Sequence, residues 1–445
     1  MVFLDFNLPN ATTWFYFSLM LAVGLLFKFN RLLSLRNWDL VSCYLLVPGF
    51  LFLQHAYGIQ PYPNTFEHPQ AALWASYGFG WLMAGSLALF IRCLWDMALV
   101  SRPALPPNLN QAGLAWFAAA LFICMVPIAM RRDQSQQPVG KKPTALDVLD
   151  EASTQTVEQV QQLAGAPLAT PTSARFWVPR ILALLFHAAV FTGLVLVVAV
   201  HFGNVVNGMA AGTLYLLLPY TAYHVREVHH VLPAALLVWA VFAYRRPVVC
   251  GVLLGVGAGT CFFPALTAPI WLSFYRRSGT KRFFTGFISA AVVTLGLTAY
   301  VLWREGNLAD SVREVFGLTD WQPWRRSSLP SVWHGVHGAY RLPVFVLHLT
   351  LIILTAFWPR PKNLGHVIAL SAAVLIGIQF WYADQGGLYV LWYLPLYVLM
   401  IFRPNLSDRF PPMIAGRPPL FSRWMQQFVQ WLVRRLQPPE PAQTD

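Results

Sequence analysis

The segment 223–233, YHVREVHHVLP, places three histidines, one arginine and one glutamate within seven positions, although only 11% of the chain is charged. On a helix, Arg226 and His230 lie four residues apart and Glu227 and His230 three apart, so these side chains can share one face. Arginine with histidine suits a phosphate oxyanion, and a carboxylate can take the proton of an attacking hydroxyl. A loop that is polar only because it touches water at the headgroup level is the alternative. The candidate phosphate ligands here are Arg226, His229 and His230, the candidate base is Glu227, and His224 completes the polar group.

A second polar group follows in the stretch 303–340, where Arg325 and Arg326 come after two tryptophans. The arginine pair could grip a lipid phosphate while tryptophan packs against the lipid or a sugar. The alternative is ordinary anchoring of tryptophan at the membrane interface. Asp320 is the candidate base of this stretch, and Asp310 is a further polar residue on the same side.

Two short loops add carboxylates, Glu67 in the stretch 58–73 and Asp384 in the turn 382–387. Glu67 is a candidate base and Asp384 a further polar residue, although any single carboxylate can also be solvated surface. A metal site needs three or more ligands in fixed geometry, and no HExxH pattern occurs. The sequence therefore predicts no metal site and no cofactor.

The composition shows what must position these residues. The chain has 445 residues, 57% of them hydrophobic and 15% aromatic, and its mean hydropathy is +0.51, which is too apolar for an ordinary soluble domain. Apolar runs of about 18 residues or more can span the bilayer as helices, whereas barrel strands are shorter and alternate. We predict an all-α, polytopic transmembrane bundle of about 11–13 spans.

The formal net charge of +13 is better explained by membrane orientation than by nucleic acid, because Lys and Arg sit mostly at the ends of apolar runs. Their distribution predicts a multi-pass protein of the plasma (inner) membrane, with its N-terminus outside and its C-terminus cytoplasmic. All the candidate residues then face the outside. The predicted spans are 11–27, 39–57, 74–92, 112–130, 180–201, 208–223, 231–244, 248–260, 262–275, 283–302, 341–358, 366–382 and 387–402.

One pair of spans must cross and return, because basic residues flank both ends of the stretch 248–275. Pro264 removes a backbone donor and offers a break, so we predict a broken helical hairpin there. The glycine-rich run GVLLGVGAG in its first half has the outline of a phosphate loop, but no Lys-Ser/Thr pair follows it. Close packing of helices is the better explanation of the glycines.

The expected organisation has four parts. Residues 1–130 form an N-terminal group of spans, and 131–178 form a polar linker containing one amphipathic helix. Residues 179–403 form the main transmembrane domain. The tail 404–445 is cytoplasmic and carries a helix at 420–436 with its aromatic side chains on one face, which suits the headgroup layer.

The region 181–402 resembles membrane glycosyltransferases of the GT-C superfamily, especially the polyprenol-phosphate-mannose-dependent mannosyltransferase-like proteins. The resemblance lies in the order of the segments HHVLPAALLVWAVFAYRRP, GVLLGVGAGTCFFPALTAPIWLSFYRR and LYVLWYLPLYVLMIFRP. Relatives often carry a lysine where Phe262 and Phe263 stand here. They also carry an acidic residue in an early outer loop, where only Glu67 is comparably placed.

The resemblance implies a diverged hexosyltransferase whose sugar arrives on a polyprenyl phosphate in the lipid bilayer. An outer carboxylate would deprotonate the acceptor, and arginine or histidine would stabilise the leaving phosphate. A non-catalytic membrane scaffold or assembly protein is the alternative, and a transporter is a third. Ionisable residues cluster at the ends of the spans, whereas a transporter favours them at mid-membrane.

Overall fold

The long apolar runs fold as helices, because a helix satisfies every backbone donor and acceptor without water. The computed structural model describes residues 11–60, 68–99, 106–130, 171–276, 278–304, 326–327, 330–382, 384–406 and 409–411. Within these ranges the regular elements are all helical, and extended pairing is limited to two isolated bridges. The helices are α1 Ala11–Leu26, α2 Leu35–Ser42, α3 Val47–Ile59, α4 Pro69–Trp95, α5 Gln111–Met130, α6 Pro171–Leu196, α7 Val205–Leu217, α8 Pro219–Tyr223, α9 Val228–Phe242, α10 Pro247–Thr260, α11 Ala268–Phe274, α12 Thr280–Arg304, α13 Arg341–Phe357, α14 Leu364–Ile378 and α15 Leu394–Phe402.

The lengths and compositions of these helices indicate a membrane protein. Among the described residues, six helical segments are long and apolar enough to cross a bilayer, and they cover Leu35–Ile59, Pro69–Ala98, Gln111–Met130, Trp177–His201, Thr280–Tyr300 and Gly338–Phe357. Six shorter apolar helices lie among them, at Thr13–Leu26, Val205–Leu217, Val228–Phe242, Pro247–Thr260, Phe263–Phe274 and Leu364–Ile378. The predicted all-α class is therefore confirmed for the described residues, the apolar helices are consistent with the predicted membrane bundle, and the number of about 11–13 spans stays a prediction.

The core of the bundle is formed by its shorter helices. In α14 all residues except His366 are buried, and all nine residues of α15 are buried. The long helices α12 and α13 lie at the edge instead and expose apolar side chains such as Val292 and Leu347. A bundle with apolar side chains both in its core and on its periphery suits contact with hydrocarbon, because lipid imposes no penalty on exposed valine or leucine.

The predicted broken hairpin is present. Helix α10 ends at Thr260, a 3₁₀ turn covers Phe263–Thr267, and α11 follows. The Tyr275 hydroxyl donates to the backbone carbonyl of Tyr244, so the chain crosses and returns to the end at which it started. Gly251, Gly255 and Gly259 of α10 face α12, where a Cβ on Gly251 would lie 2.9 Å from the backbone nitrogen of Phe287. Close helix packing, as predicted, explains the glycine-rich run.

Several span limits differ from the prediction. Helix α6 begins at Pro171, before the predicted span start at 180. The predicted span 39–57 is interrupted by turns at 43–46, between α2 and α3. In the predicted span 387–402 a 3₁₀ turn covers Val390–Trp392, and the α-helix begins only at Leu394, because Pro395 fits the first helical turn, where its missing N–H is not needed. The two predicted amphipathic helices, in the linker and at 420–436, lie outside the described residues.

Contacts between distant segments define two ends of the bundle. At the first, which we call the site end, Arg226 reaches the Ile128 carbonyl, the Gln385 amide donates to the Pro330 carbonyl, and the Trp333 indole donates to the Phe380 carbonyl. At the opposite end, Lys28 contacts Asn108, and Lys362 donates to Ser273. The candidate residues of the described chain lie in segments that meet at the site end.

Candidate functional site

The site is built on the connection between α8 and α9. Helix α8 ends at Tyr223, a turn covers 224–226, and Glu227 is the N-cap residue of α9. The Glu227 side chain does not cap the helix. Its carboxylate turns instead toward two histidines, one in the turn and one in the first turn of α9.

Three side chains meet at this point: His224, Glu227 and His230. The Oε2 atom of Glu227 lies 2.7 Å from Nδ1 of His224 and 3.0 Å from Nε2 of His230. Both imidazoles are buried, whereas the glutamate side chain is 36% exposed. Among the described residues, these three form the one group of at least three histidine, cysteine or acidic side chains with ligand atoms within 4.8 Å of one another.

The hydrogen bonds of His224 constrain its protons. Its Nε2 lies 3.0 Å from the backbone carbonyl of Leu388, which can only accept, so Nε2 carries a proton. Its Nδ1 faces a carboxylate oxygen at 2.7 Å. A neutral imidazole protonated at Nε2 would set a bare lone pair against that oxygen. The contact therefore requires one further positive charge between Nδ1 and Oε2.

The same surroundings act on the acidity of Glu227. Burial disfavours the ionised carboxylate, but the interactions with His224 and His230 outweigh burial and hold the pKa of Glu227 well below its ordinary value. The carboxylate is therefore ionised at neutral pH. A negative charge therefore lies at the end of a span, beside Nδ1 of His224 and Nε2 of His230.

A stack of aromatic rings lies behind the three side chains. The His230 ring is stacked on His224 at 4.2 Å between centroids and on Tyr389 at 5.1 Å. The stack continues from Tyr389 to Trp392 at 4.1 Å and from Trp392 to Phe263 in the hairpin break at 3.4 Å. Because both faces of the His230 ring are covered, its Nε2 is held in the direction of Glu227.

The other candidate residues have distinct surroundings. The guanidinium of Arg226 donates from Nε and Nη2 to the Ile128 carbonyl, at 3.1 and 2.7 Å. The His229 ring lies 4.5 Å from the His230 ring. Arg326 is exposed and pairs through its backbone with His337. Asp384 is half-buried in the turn before Tyr389. The candidates Glu67, Asp310, Asp320 and Arg325 lie outside the described residues.

Two features of the site were not predicted from the sequence: the aromatic rings of Tyr389 and Trp392, and the hydrogen bond of His224 to the Leu388 carbonyl. Tyr389 and Trp392 entered only as part of an apolar run, and no local signal connects them with His230. The backbone carbonyl of Leu388 is 164 positions from His224. The spacing His-x-x-Glu-x-x-His at 224–230 was visible in the sequence, and on a regular helix it brings neighbouring members to one face. Here the turn at 224–226 places all three together.

A second charged cluster lies at the opposite end and has a structural character. Asp39 accepts from Nε and Nη2 of Arg92 at 2.6 and 3.1 Å, and Asp96 lies 3.3 Å from Nη1 of the same arginine. Asp96 also accepts from Nε of Arg403 at 2.6 Å. Alternating charges therefore join α2, α4 and the end of α15, with Asp39, Asp96 and Arg403 buried.

No protein-family model matches the chain, and no curated protein or solved structure matches it either. Its function must therefore be inferred from the geometry of the site end and from the chemistry of the residues there.

Proposed function

We propose that this chain is an integral membrane glycosyltransferase that moves a sugar from a polyprenyl phosphate to an acceptor on the extracytoplasmic side. The observation that carries the proposal is the carboxylate of Glu227 held between His224 and His230 at the end of a span. A donor whose phosphate lies at the membrane surface would meet these groups without leaving the bilayer. The GT-C resemblance of the region 181–402 supports the same reaction class.

The proposed reaction is a displacement at the anomeric carbon. The acceptor hydroxyl forms the new C–O bond, the bond from that carbon to the phosphate oxygen breaks, and a carboxylate takes the hydroxyl proton. Glu227, Glu67 and Asp320 are the candidate bases. Positive groups near the leaving phosphate stabilise its growing charge, and His229, His230, Arg325 and Arg326 are the candidates for that role.

The proposed orientation follows from the basic residues. The loops that carry Lys28, Arg245, Arg276 and Arg360 would be cytoplasmic, with the site end outside and the N-terminus on the same side as the site. The contacts of Lys28 and Lys362 at the opposite end of the bundle support this threading. The protein would then reside in the plasma (inner) membrane.

The aromatic stack supports a role in handling sugar or lipid. Relatives in the GT-C superfamily often carry a lysine where Phe262 and Phe263 stand here. In this chain Phe263 packs on Trp392, and Phe262 lies near Tyr382 at 6.0 Å between centroids. Phe262, which is partly exposed, would contact the apolar part of the donor, the buried pair Phe263 and Trp392 would support it from behind, and the phosphate would be left to the histidines.

The test is transfer by the purified full chain in liposomes, with a polyprenyl-phosphate hexose as donor and labelled sugar as readout. Glu227→Gln, Glu67→Gln and Asp320→Asn identify the base, and we expect one of them to lower kcat by at least about 100-fold. Glu151→Gln, outside the predicted site, is the matched control and should transfer normally. Normal transfer by all three site variants would contradict the proposal.

A non-catalytic scaffold is the second candidate. The observation that favours it is that Arg226, a candidate phosphate ligand, donates its hydrogen bonds to the backbone carbonyl of Ile128 instead. A scaffold would show no transfer with any polyprenyl-phosphate donor. Its Glu227→Gln variant would still assemble normally in the membrane.

A further inference from the structure

We infer that His224, Glu227 and His230 bind one divalent transition-metal ion of the zinc class. Two imidazoles and one carboxylate are the ligand set of many zinc sites that keep a fourth position open for water or substrate. The three side chains each offer a ligand atom, and these atoms lie within 4.8 Å of one another. The sequence predicted no metal here, because the HExxH spacing is absent and the turn at 224–226 is needed to bring the three ligands together.

Charge is the first reason to place an ion at this point. The Leu388 carbonyl fixes a proton on Nε2 of His224, which turns the lone pair of Nδ1 toward the carboxylate of Glu227. A second proton on His224 or a metal cation between Nδ1 and Oε2 resolves that opposition, and a metal cation would engage His230 as well. The Nε2 of His230 points at the same oxygen from 3.0 Å, so one ion can contact all three side chains.

The outer hydrogen bond of His224 and the packing of His230 are an independent reason, although Nδ1 of His230 itself has no hydrogen-bond partner among the described residues. Histidines that bind metals usually donate their second ring N–H to a backbone carbonyl or carboxylate, which fixes the tautomer and the ring orientation. The bond from His224 to the Leu388 carbonyl has this form. The rings of His224 and Tyr389 enclose the His230 ring from both sides and restrict its rotation.

The distances are close to those that a metal requires. Bonds of about 2.0–2.1 Å in a tetrahedral site put neighbouring ligand atoms about 3.3 Å apart. The observed separations from Oε2 are 2.7 and 3.0 Å. These two separations would have to lengthen by about 0.6 and 0.3 Å, and Glu227, partly exposed at the start of α9, can supply this movement. Imidazole ligands favour zinc over magnesium or calcium.

The consequence for the reaction rests on the proposed function. An ion held by these residues would place positive charge where the donor phosphate arrives, which is the role that the sequence assigned to arginine and histidine. Glu227 would then be a ligand, and Glu67 and Asp320 would remain as the candidates for the base.

The test measures binding of zinc alone to the full chain, purified in detergent and stripped with a chelator. Equilibrium dialysis followed by elemental analysis should give one zinc per chain. His224→Ala, His230→Ala and Glu227→Gln should each weaken zinc binding by at least about tenfold. His334→Ala removes an exposed histidine from the site end and is the matched control, with unchanged binding expected.

A spectroscopic readout separates ligation from misfolding. Cobalt(II) bound to the stripped protein should show the visible absorption of a four-coordinate site. Glu227→Gln should change that spectrum even when the variant has the helical content and the gel-filtration elution volume of the wild-type chain. Failure of the wild-type chain to bind zinc, or equal binding by the His224→Ala/His230→Ala double variant, overturns the inference. Zinc binding without any sugar transfer would contradict only the proposed glycosyltransferase.

Discussion

The close packing of α10 against α12 leads to a sharp prediction about two glycines on one helix. Gly286 of α12 faces α10, and a Cβ at this position would lie 2.5 Å from the backbone carbonyl oxygen of Val248. Gly296, further along the same helix, has no neighbouring atom within 4 Å of its Cβ position. Alanine at Gly286 should therefore destabilise the bundle, whereas alanine at Gly296 should not.

The size of the effect follows from that geometry. A carbon and a carbonyl oxygen in contact lie about 3.3–3.6 Å apart, so Gly286→Ala requires the two backbones to move apart by roughly 1 Å. Overpacking of this kind costs about 1–3 kcal/mol. Gly296→Ala only removes the conformational freedom of glycine and should stabilise by about 0.5–1 kcal/mol. The two variants should therefore differ by roughly 1.5–4 kcal/mol.

The assay is the free energy of unfolding in mixed micelles, measured by titration with a denaturing detergent. Because the 3₁₀ turn after α10 carries Phe263, which packs on Trp392, Gly286→Ala should also weaken any ligand binding at the site end. Equal stabilities of the two alanine variants would contradict the steric explanation, since the helix and the substitution are the same and only the neighbouring backbone differs.

Two further predictions concern charged side chains at the opposite end. Arg403→Met removes one of the two arginines that contact buried Asp96 and leaves Arg92 at 3.3 Å, so it should lower the free energy of unfolding by about 1.5–3 kcal/mol. The Arg403→Met/Asp96→Asn double variant should recover part of this loss, and an additive loss would contradict the pairing. Burial, followed by the charge of Arg360, lowers the pKa of Lys362 from 10.5 to about 8, so the folded chain releases this proton before the unfolded chain does. The wild-type free energy of unfolding should therefore rise relative to that of Lys362→Met as the pH increases from about 8 to 10.5. A constant difference across this range would show that folding does not lower the pKa of Lys362.

The class of fold could be predicted from local properties of the sequence. Apolar runs long enough to cross a bilayer can satisfy their backbone only as helices, so the helical bundle followed from hydropathy. The hairpin at 247–274 followed from the same local signals, because Pro264 lies between two apolar stretches flanked by basic residues. Side-chain volume is a local property as well, so the glycines of α10 were sufficient to predict close packing against a neighbouring helix.

The limits of individual helices were less predictable. The break between α2 and α3 and the late start of α15 at Leu394 fall inside runs of uniform hydropathy. Both helices carry a proline in their first turn, Pro48 and Pro395, which fits there because its missing N–H is not needed. Hydropathy alone does not register these prolines, and for that reason the predicted spans ran through the breaks.

The site shows the same division. The proximity of Arg226, Glu227, His229 and His230 was predictable because they are neighbours along the chain, whereas their partners come from the packing of distant segments. Helix packing set the Leu388 carbonyl against His224, stacked Tyr389 on His230 and turned Arg226 toward Ile128. Hydropathy and spacing describe each segment separately, whereas a hydrogen bond across 164 positions depends on how those segments pack. For that reason the residue types were readable from the sequence, and the arrangement that gives them their chemistry was not.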